Sequence, residues 1–277
     1  MSTDPTDAAL RASAAALLVA ARLSGPPFES LPVDLRPPDE LAGYAVQRCA
    51  HALLGQAGFG RQVGWKIGCT TPAMQEYLGI PGPSAGGMFQ AHTWRGQHHF
   101  QATRARRLGA ECEIAVRLAV DLPPRSTPYS QADAAHSVAA SMAAIEVVED
   151  RYVDYAKLDT PTLIADDFFH HSCVLGPEVE GFDPGQLGST SATMFANGEP
   201  VGSGLGYDIM GDPLAALTWL ANSCALWGTP LLAGDIVLLG SVVVTHWVDD
   251  NAEITAVNDQ LGEVRASFAP ASRPAIP

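Results

Sequence analysis

The chain has 277 residues, 47% of them hydrophobic and 17% charged, which suits one large domain and rules out a wholly disordered chain. Lys and Arg number 16 against 30 Asp and Glu, a net charge of -14 that excludes general binding to phosphate backbones or anionic lipid. Only Lys66 and Lys157 among the cations are lysines; the others are arginines.

Residues 7–23 follow an Ala/Leu-rich helical pattern that stops at Ser24-Gly25-Pro26-Pro27. Within it, residues 14–21 come nearest to a signal sequence, but an aspartate stands where a cationic start belongs, so the segment reads as a soluble helix. No stretch is long enough to span a membrane. A second helix is expected from Asp39 to about Leu54. Beyond it come short β-rich runs at 63–68, 112–120, 145–148, 173–176, 191–196, 235–240, 253–257 and 263–268. Asn197-Gly198 marks a two-residue hairpin, because both central positions favour positive φ. Helices are expected from about 130 to 144, and after Asp212 as N-cap, with Pro213 first and Gly228 closing. Strands that do not alternate with helices point to an α+β protein rather than a doubly wound sheet.

The most informative run is Gly109-Ala110-Glu111-Cys112-Glu113-Ile114-Ala115-Val116. On a strand Glu111 and Glu113 project together, and Ile114, Val116 and Leu118 are read as extending a buried face with them. Paired carboxylates on such a face need a counter-ion, although an exposed strand face is the plainer alternative. Glu146 sits in a second apolar run, Ala144-Ile145-Glu146-Val147-Val148, and Glu149, Asp150 and Arg151 read as its solvated end. Three carboxylates with oxygen-only ligands suit Mg²⁺ or Mn²⁺. Lys66 lies in the Gly-flanked apolar strand Val63-Gly64-Trp65-Lys66-Ile67-Gly68. It is either an edge-strand guard against aggregation or a desolvated lysine able to move protons.

The five scattered cysteines show neither zinc spacing nor a disulfide framework, and read as buried reduced thiols of a cytosolic protein. The adjacent pairs His98-His99 and His170-His171 point to opposite strand faces, so neither pair suits one ion; His171 and His246 are candidates for a pocket wall. No phosphate-binding glycine loop and no G-x-S-x-G elbow occurs.

Taken in order, these residues resemble a known family. Lys66-Ile67-Gly68 with Thr70 and Pro72, Glu111-x-Glu113-Ile114-Ala115, Ile145-Glu146-Val147-Val148, and Gly234-Asp235-Ile236-Val237 with Gly240 are similar to the 2-keto-4-pentenoate hydratase branch of the fumarylacetoacetate hydrolase superfamily. The likeness runs, with gaps, from about Leu41 to Phe268. It implies an α+β fold, a mixed β-roll over residues 61–277 that forms the catalytic domain, preceded by a small helical N-terminal unit over residues 1–60. It further implies Mg²⁺ or Mn²⁺ on Glu111, Glu113 and Glu146, with Lys66 and Asp166 as catalytic residues. Substrate contacts would come from Ser84, Phe169, His171 and Ser241, with pocket arginines as helpers.

The implied activity is a metal-dependent hydratase, a cytoplasmic lyase adding water to a 2-hydroxy-2,4-dienoate in aromatic-compound degradation. Decarboxylation of a 4-oxalocrotonate-type acid and C–C hydrolysis of an acylpyruvate are rivals, as is a non-catalytic small-molecule binding homologue. The high apolar fraction beside 17% charge suggests a homo-oligomer, with no nucleic-acid or membrane partner. Two segments depart from the family pattern. A P-D-F-G-like stretch reads Pro83-Ser84-Ala85-Gly86, and an A-D-N-A-S-like stretch reads Ala165-Asp166-Asp167-Phe168-Phe169-His170-His171.

Overall fold

A computed structural model describes residues 5–24, 26–101 and 107–269. Helix α1 (Pro5–Ser24) packs on α2 (Glu40–Leu54), whose N-terminus is capped by the Asp39 carboxylate accepting from the Ala42 amide at 2.8 Å. Then follow β1 (Gln62–Gly68), α3 (Pro72–Leu78), β2 (Ser84–Phe89), β3 (Thr93–Arg95) and β4 (Gln97–Gln101). The long strands β5 (Arg107–Leu118) and β6 (Val138–Asp150) flank α4 (Gln131–His136). Next come α5 (Thr160–Ala165), β7 (His170–Leu175), β8 (Val179–Glu180), β9 (Ser191–Ala196) and β10 (Glu199–Leu205). The chain closes with α6 (Pro213–Trp227), β11 (Ile236–Ser241), β12 (His246–Trp247), β13 (Glu253–Asn258) and β14 (Gly262–Ala269). None of the helices among the described residues is long and apolar enough to cross a membrane.

Two sheets carry the strands. The larger runs β2-β1-β11-β5-β6-β7-β3, with β12 and β8 as short additions; the smaller runs β10-β9-β13-β14-β4. Both mix directions: β1 pairs in parallel with β11 and β14 with β4, whereas β5 and β6 are antiparallel. The larger sheet curls until β2 lies against β7, and its concave face encloses a small core of Met88, Ala115, Met142, Ala144, Leu175 and Leu238. Its convex face shares the main core with α6 and the smaller sheet, through residues such as Ile114, Ile145, Leu217, Ile254 and Phe268.

Strand parity therefore corrects one expectation. Ile114, Val116 and Leu118 belong to the convex face, and the two glutamates share the concave face with Ala115. The glutamates are enclosed by the curl of the sheet and not by the apolar run beside them. A second correction falls on residues 130–144. The helix there is only α4, and β6 begins at Val138. Its alanines suit a helix in isolation, but between β5 and β7 small side chains are what a tightly curled interior admits. The hairpin at Asn197-Gly198 joins β9 to β10 with φ of 50° and 85°, and α6 carries the cap, proline and closing glycine expected of it.

Candidate active site

Glu146 on β6 stands directly opposite Glu111 on β5, with Glu113 two residues along. One oxygen from each of the three lies within 4.8 Å of the other two. Glu113 and Glu146 are buried and Glu111 is partly open. Lys66 comes from β1, an interior strand, where it is 3% exposed. Its Nζ lies 3.6 Å from Glu146 Oε1 and donates to the Phe168 carbonyl at 2.7 Å. His170 Nδ1 is 2.7 Å from the same glutamate oxygen. The Gly240 amide donates to Glu113 Oε2 at 2.7 Å, and the Thr245 hydroxyl donates to Glu111. At Gly240 φ is 137° and a Cβ would stand 2.7 Å from Thr70 Oγ1, so only glycine can present that amide.

These contacts leave negative charge in excess. Burial pushes Glu111 up to about 7, and the charge of Glu146 adds to it against Thr245 and Lys66. Burial with the charges of Glu146 and Glu111 pushes Glu113 well above the ordinary carboxylate range. Burial acts upward on Glu146 too, but Lys66 and His170 outweigh it and hold that carboxyl below its usual value. A cluster of three carboxylates with a single lysine has the donor set and the unmet charge that a hard divalent cation satisfies.

The cluster opens into a cavity of about 710 Å³. Lys66, Glu111, Glu113, Phe169 and Ser241 line it, as the sequence suggests for a site. Other expected residues lie elsewhere. Asp166 is absent from the wall; its carboxylate accepts from Arg151 Nε at 2.6 Å and the Tyr152 hydroxyl at 2.8 Å, a place in the scaffold beneath the site. His171 packs on His92 and Phe100, with Nδ1 2.8 Å from Ser172 Oγ, and His246 is outside the wall. No arginine is found among the described lining residues, so the expected arginine helpers do not appear there. Glu149 and Arg151, read from sequence as a solvated strand end, are buried, 5% and 2% exposed. Phe168, from the departing segment 165–171, joins Phe169 in the wall; Thr245, Trp247 and Tyr155 also face the cavity, and no local pattern in the sequence signals these three.

Between α5 and β7 the chain makes an unusual turn. Asp167, Phe168 and Phe169 all have positive φ, 58°, 46° and 68°, a region that costs a residue with a side chain about 1–2 kcal/mol. Several buried groups hold it. The Asp167 carboxylate meets Arg22 Nη1 of α1 at 2.7 Å, His51 Nε2 of α2 at 2.7 Å and the Gly87 amide at 2.9 Å. Glu149 N donates to the Phe169 carbonyl at 2.9 Å, and a Cβ at Gly86 would stand 2.7 Å from the Asp167 carbonyl. The turn delivers the Phe168 carbonyl to Lys66 and the two aromatic rings to the cavity.

Ser84 is buried on β2 beside the Cys69 thiol and is not part of the wall. A methyl built on Gly68 would be 3.0 Å from Lys66 Nζ and 3.5 Å from Ser84 Oγ, so the two flank one gap. Ser84→Asp should therefore pair with the amine and draw it off the substrate. Turnover should fall, by about a hundredfold for an ångström of displacement. Steady-state kinetics on the purified variant checks this, and a gain in turnover would contradict it.

Comparison with known proteins places this geometry. The fumarylacetoacetate (FAA) hydrolase C-terminal family matches residues 80–269. A 2-keto-4-pentenoate hydratase of Burkholderia vietnamiensis is 34% identical over 93% of this chain and 97% of its own length. One of Paraburkholderia phymatum is 34% identical over 83% of this chain and 87% of its own. Among solved structures, the 4-oxalocrotonate decarboxylase of Pseudomonas putida G7, complexed with magnesium and adipate, superposes with a TM-score of 0.83 at 23% identity, covering 93% of this chain and 97% of that one. The fold is the fumarylacetoacetate-hydrolase-like α+β roll, and the chain is an enzyme of the lyase class. It belongs to the fumarylacetoacetate hydrolase family, in its 2-keto-4-pentenoate hydratase branch.

Proposed function

We propose that the chain is a metal-dependent hydratase that adds water to a 2-hydroxy-2,4-dienoate formed in aromatic-compound degradation. The observation that carries this reading is the meeting of Glu111, Glu113, Glu146 and Lys66, of which Lys66, Glu111 and Glu113 line one cavity. Glu111, Glu113 and Glu146 would hold Mg²⁺ or Mn²⁺, which when bound supplies positive charge for the carboxylate and 2-oxygen of the substrate.

The chain's own residues do the rest. Lys66, starting as the ammonium, gives a proton to C5, directly or through a water, and takes the enol proton in return, which leaves a conjugated ketone with its double bond between C3 and C4. Water then adds at C4 and a proton at C3. The Phe168 carbonyl and Glu146 fix the amine on either side, so its approach to the substrate is set before binding. Phe168, Val148 and Val243 exclude bulk water from the floor.

The test is single turnover of 2-hydroxypenta-2,4-dienoate with Mg²⁺, followed by ultraviolet loss of the dienoate and mass of the product. A gain of one water, abolished by EDTA and restored by Mg²⁺, is expected. Release of CO₂ from a dicarboxylic analogue, cleavage of an acylpyruvate into two acids, or binding without turnover would each replace the reading with one of its rivals. Full activity in EDTA would end it.

A further inference from the structure

Resting on the metal-dependent reading, we infer that His170 is a positioning residue of the cation site: it occupies one oxygen of Glu146, so that this carboxylate offers a cation only the other, and the site favours Mg²⁺ or Mn²⁺ over Ca²⁺. The reaction steps make no use of His170. As a pair, His170 and His171 do not suit one ion, but one of them acts on an ion through its ligand.

A local irregularity aims the ring. Between β6 and β7, Glu146 stands opposite Cys173 and Val147 opposite Ser172; the register then shifts and Val148 stands opposite His170. His171 is the extra residue of a β-bulge. In an unbroken ladder it would oppose Val148 itself; the bulge instead turns His170 to the strand face that carries Glu146 and Val148. His170 thereby becomes the diagonal neighbour of Glu146, within reach of a long side chain, and its Nδ1 lies 2.7 Å from Glu146 Oε1. A carboxylate oxygen only accepts, so the ring donates from Nδ1. The residue is 1% exposed, and Nε2 is buried with no hydrogen-bond partner among the described residues. An unpartnered buried nitrogen is unfavourable, which makes histidine a poor choice for packing alone. Glu146 is the reason for it.

Each of the three carboxylates has one oxygen engaged. Glu111 accepts from the Thr245 hydroxyl, Glu113 Oε2 from the Gly240 amide at 2.7 Å, and Glu146 Oε1 from His170 with Lys66 Nζ 3.6 Å from the same atom. The hold on Glu146 is the firmest, since two groups share Oε1. The His170 backbone is also fixed, by its pairing with β6 and by Arg151 Nη1, which donates to its carbonyl at 3.1 Å. Three single-oxygen ligands suit an ion that wants about six in a near-ideal octahedron and accepts water or substrate in the rest. Ca²⁺ takes about six to eight oxygens and draws on carboxylates that give both.

The test uses the full chain stripped of metal by EDTA and dialysed. Bound Mn²⁺ is read by loss of the free-ion EPR signal, and Mg²⁺ and Ca²⁺ by how well each displaces it. His170→Phe keeps an aromatic ring without the donor, His170→Ala removes both, and His170→Asn keeps an N–H near the place of Nδ1. The first two should weaken Mn²⁺ binding by about 10- to 100-fold, the usual weight of a group that orients a ligand. They should also move the Mg²⁺-to-Ca²⁺ preference toward Ca²⁺ by at least about tenfold, and His170→Asn should restore most of both. The preference is a ratio measured on one sample, so a partly unfolded fraction does not alter it. The parent chain should itself bind Mg²⁺ more tightly than Ca²⁺, which decides the matter even where a variant fails to fold. The reverse order in the parent, an unchanged ratio in His170→Phe and His170→Ala, or no rescue by His170→Asn overturns the inference and leaves the hydratase reading standing. No Mn²⁺ binding by the parent removes the metal-dependent reading itself, and the inference with it.

Discussion

Lys66→Met should keep the fold and lower kcat by about two to four orders of magnitude, the weight of a positioned acid–base group. The side chain is buried on an interior strand, and methionine matches its stem in length and fills the same space. Lys66→Arg should fail to restore turnover, because a guanidinium does not release its proton near neutral pH. Metal affinity provides the control. Lys66 is a cation 3.6 Å from Glu146, so its loss should leave Mn²⁺ binding intact or tighten it, read by calorimetry. Weakened Mn²⁺ binding with unchanged kcat would mean that the lysine only balances charge.

Residues whose chemistry is out of place in their own segment were legible in the sequence. A lysine and three glutamates inside apolar strands need a reason to be there, and the fold brings the four together. Asp166 shows the limit of that argument. Its position in a motif-like segment suggests catalysis, but its partners, Arg151 and Tyr152, follow a strand whose end looks solvated. Burial of Glu149 and Arg151 arises from α5 and the turn folding back over that strand end, a contact with no local periodicity. Arg22 and His51 were equally hidden. Each belongs to a helix that reads as amphipathic, and only the tertiary fold shows that both converge on Asp167. The alanines of β6 misled for a related reason: a tight curl demands small residues, and small residues read as helix.

Asp167→Asn should destabilise the chain by about 3–5 kcal/mol, the cost of removing one partner from a buried ion pair. The substitution isolates charge, because asparagine tolerates positive φ and keeps an oxygen for the Gly87 amide. What it removes is the anion between Arg22 and His51, both nine-tenths buried. The pH dependence gives an independent sign. Burial alone would raise the Asp167 carboxyl, but His51, Arg22 and the Gly87 amide outweigh it and hold the group far below its ordinary range. A carboxyl depressed on folding contributes stability that is fully present above its unfolded pKa, about 3.9, and is lost as pH falls toward the folded value. Urea midpoints should therefore drop at neutral pH in the variant, with the slope m unchanged, and the gap to the parent chain should close as the solution is acidified below about pH 4. The same variant ties the N-terminal helices to the reaction. With Arg22 and His51 no longer anchoring the turn, the Phe168 carbonyl that fixes Lys66 is free to shift, so kcat should fall while Mn²⁺ affinity holds. A variant that loses stability but keeps kcat would show that the turn's strain serves the fold alone.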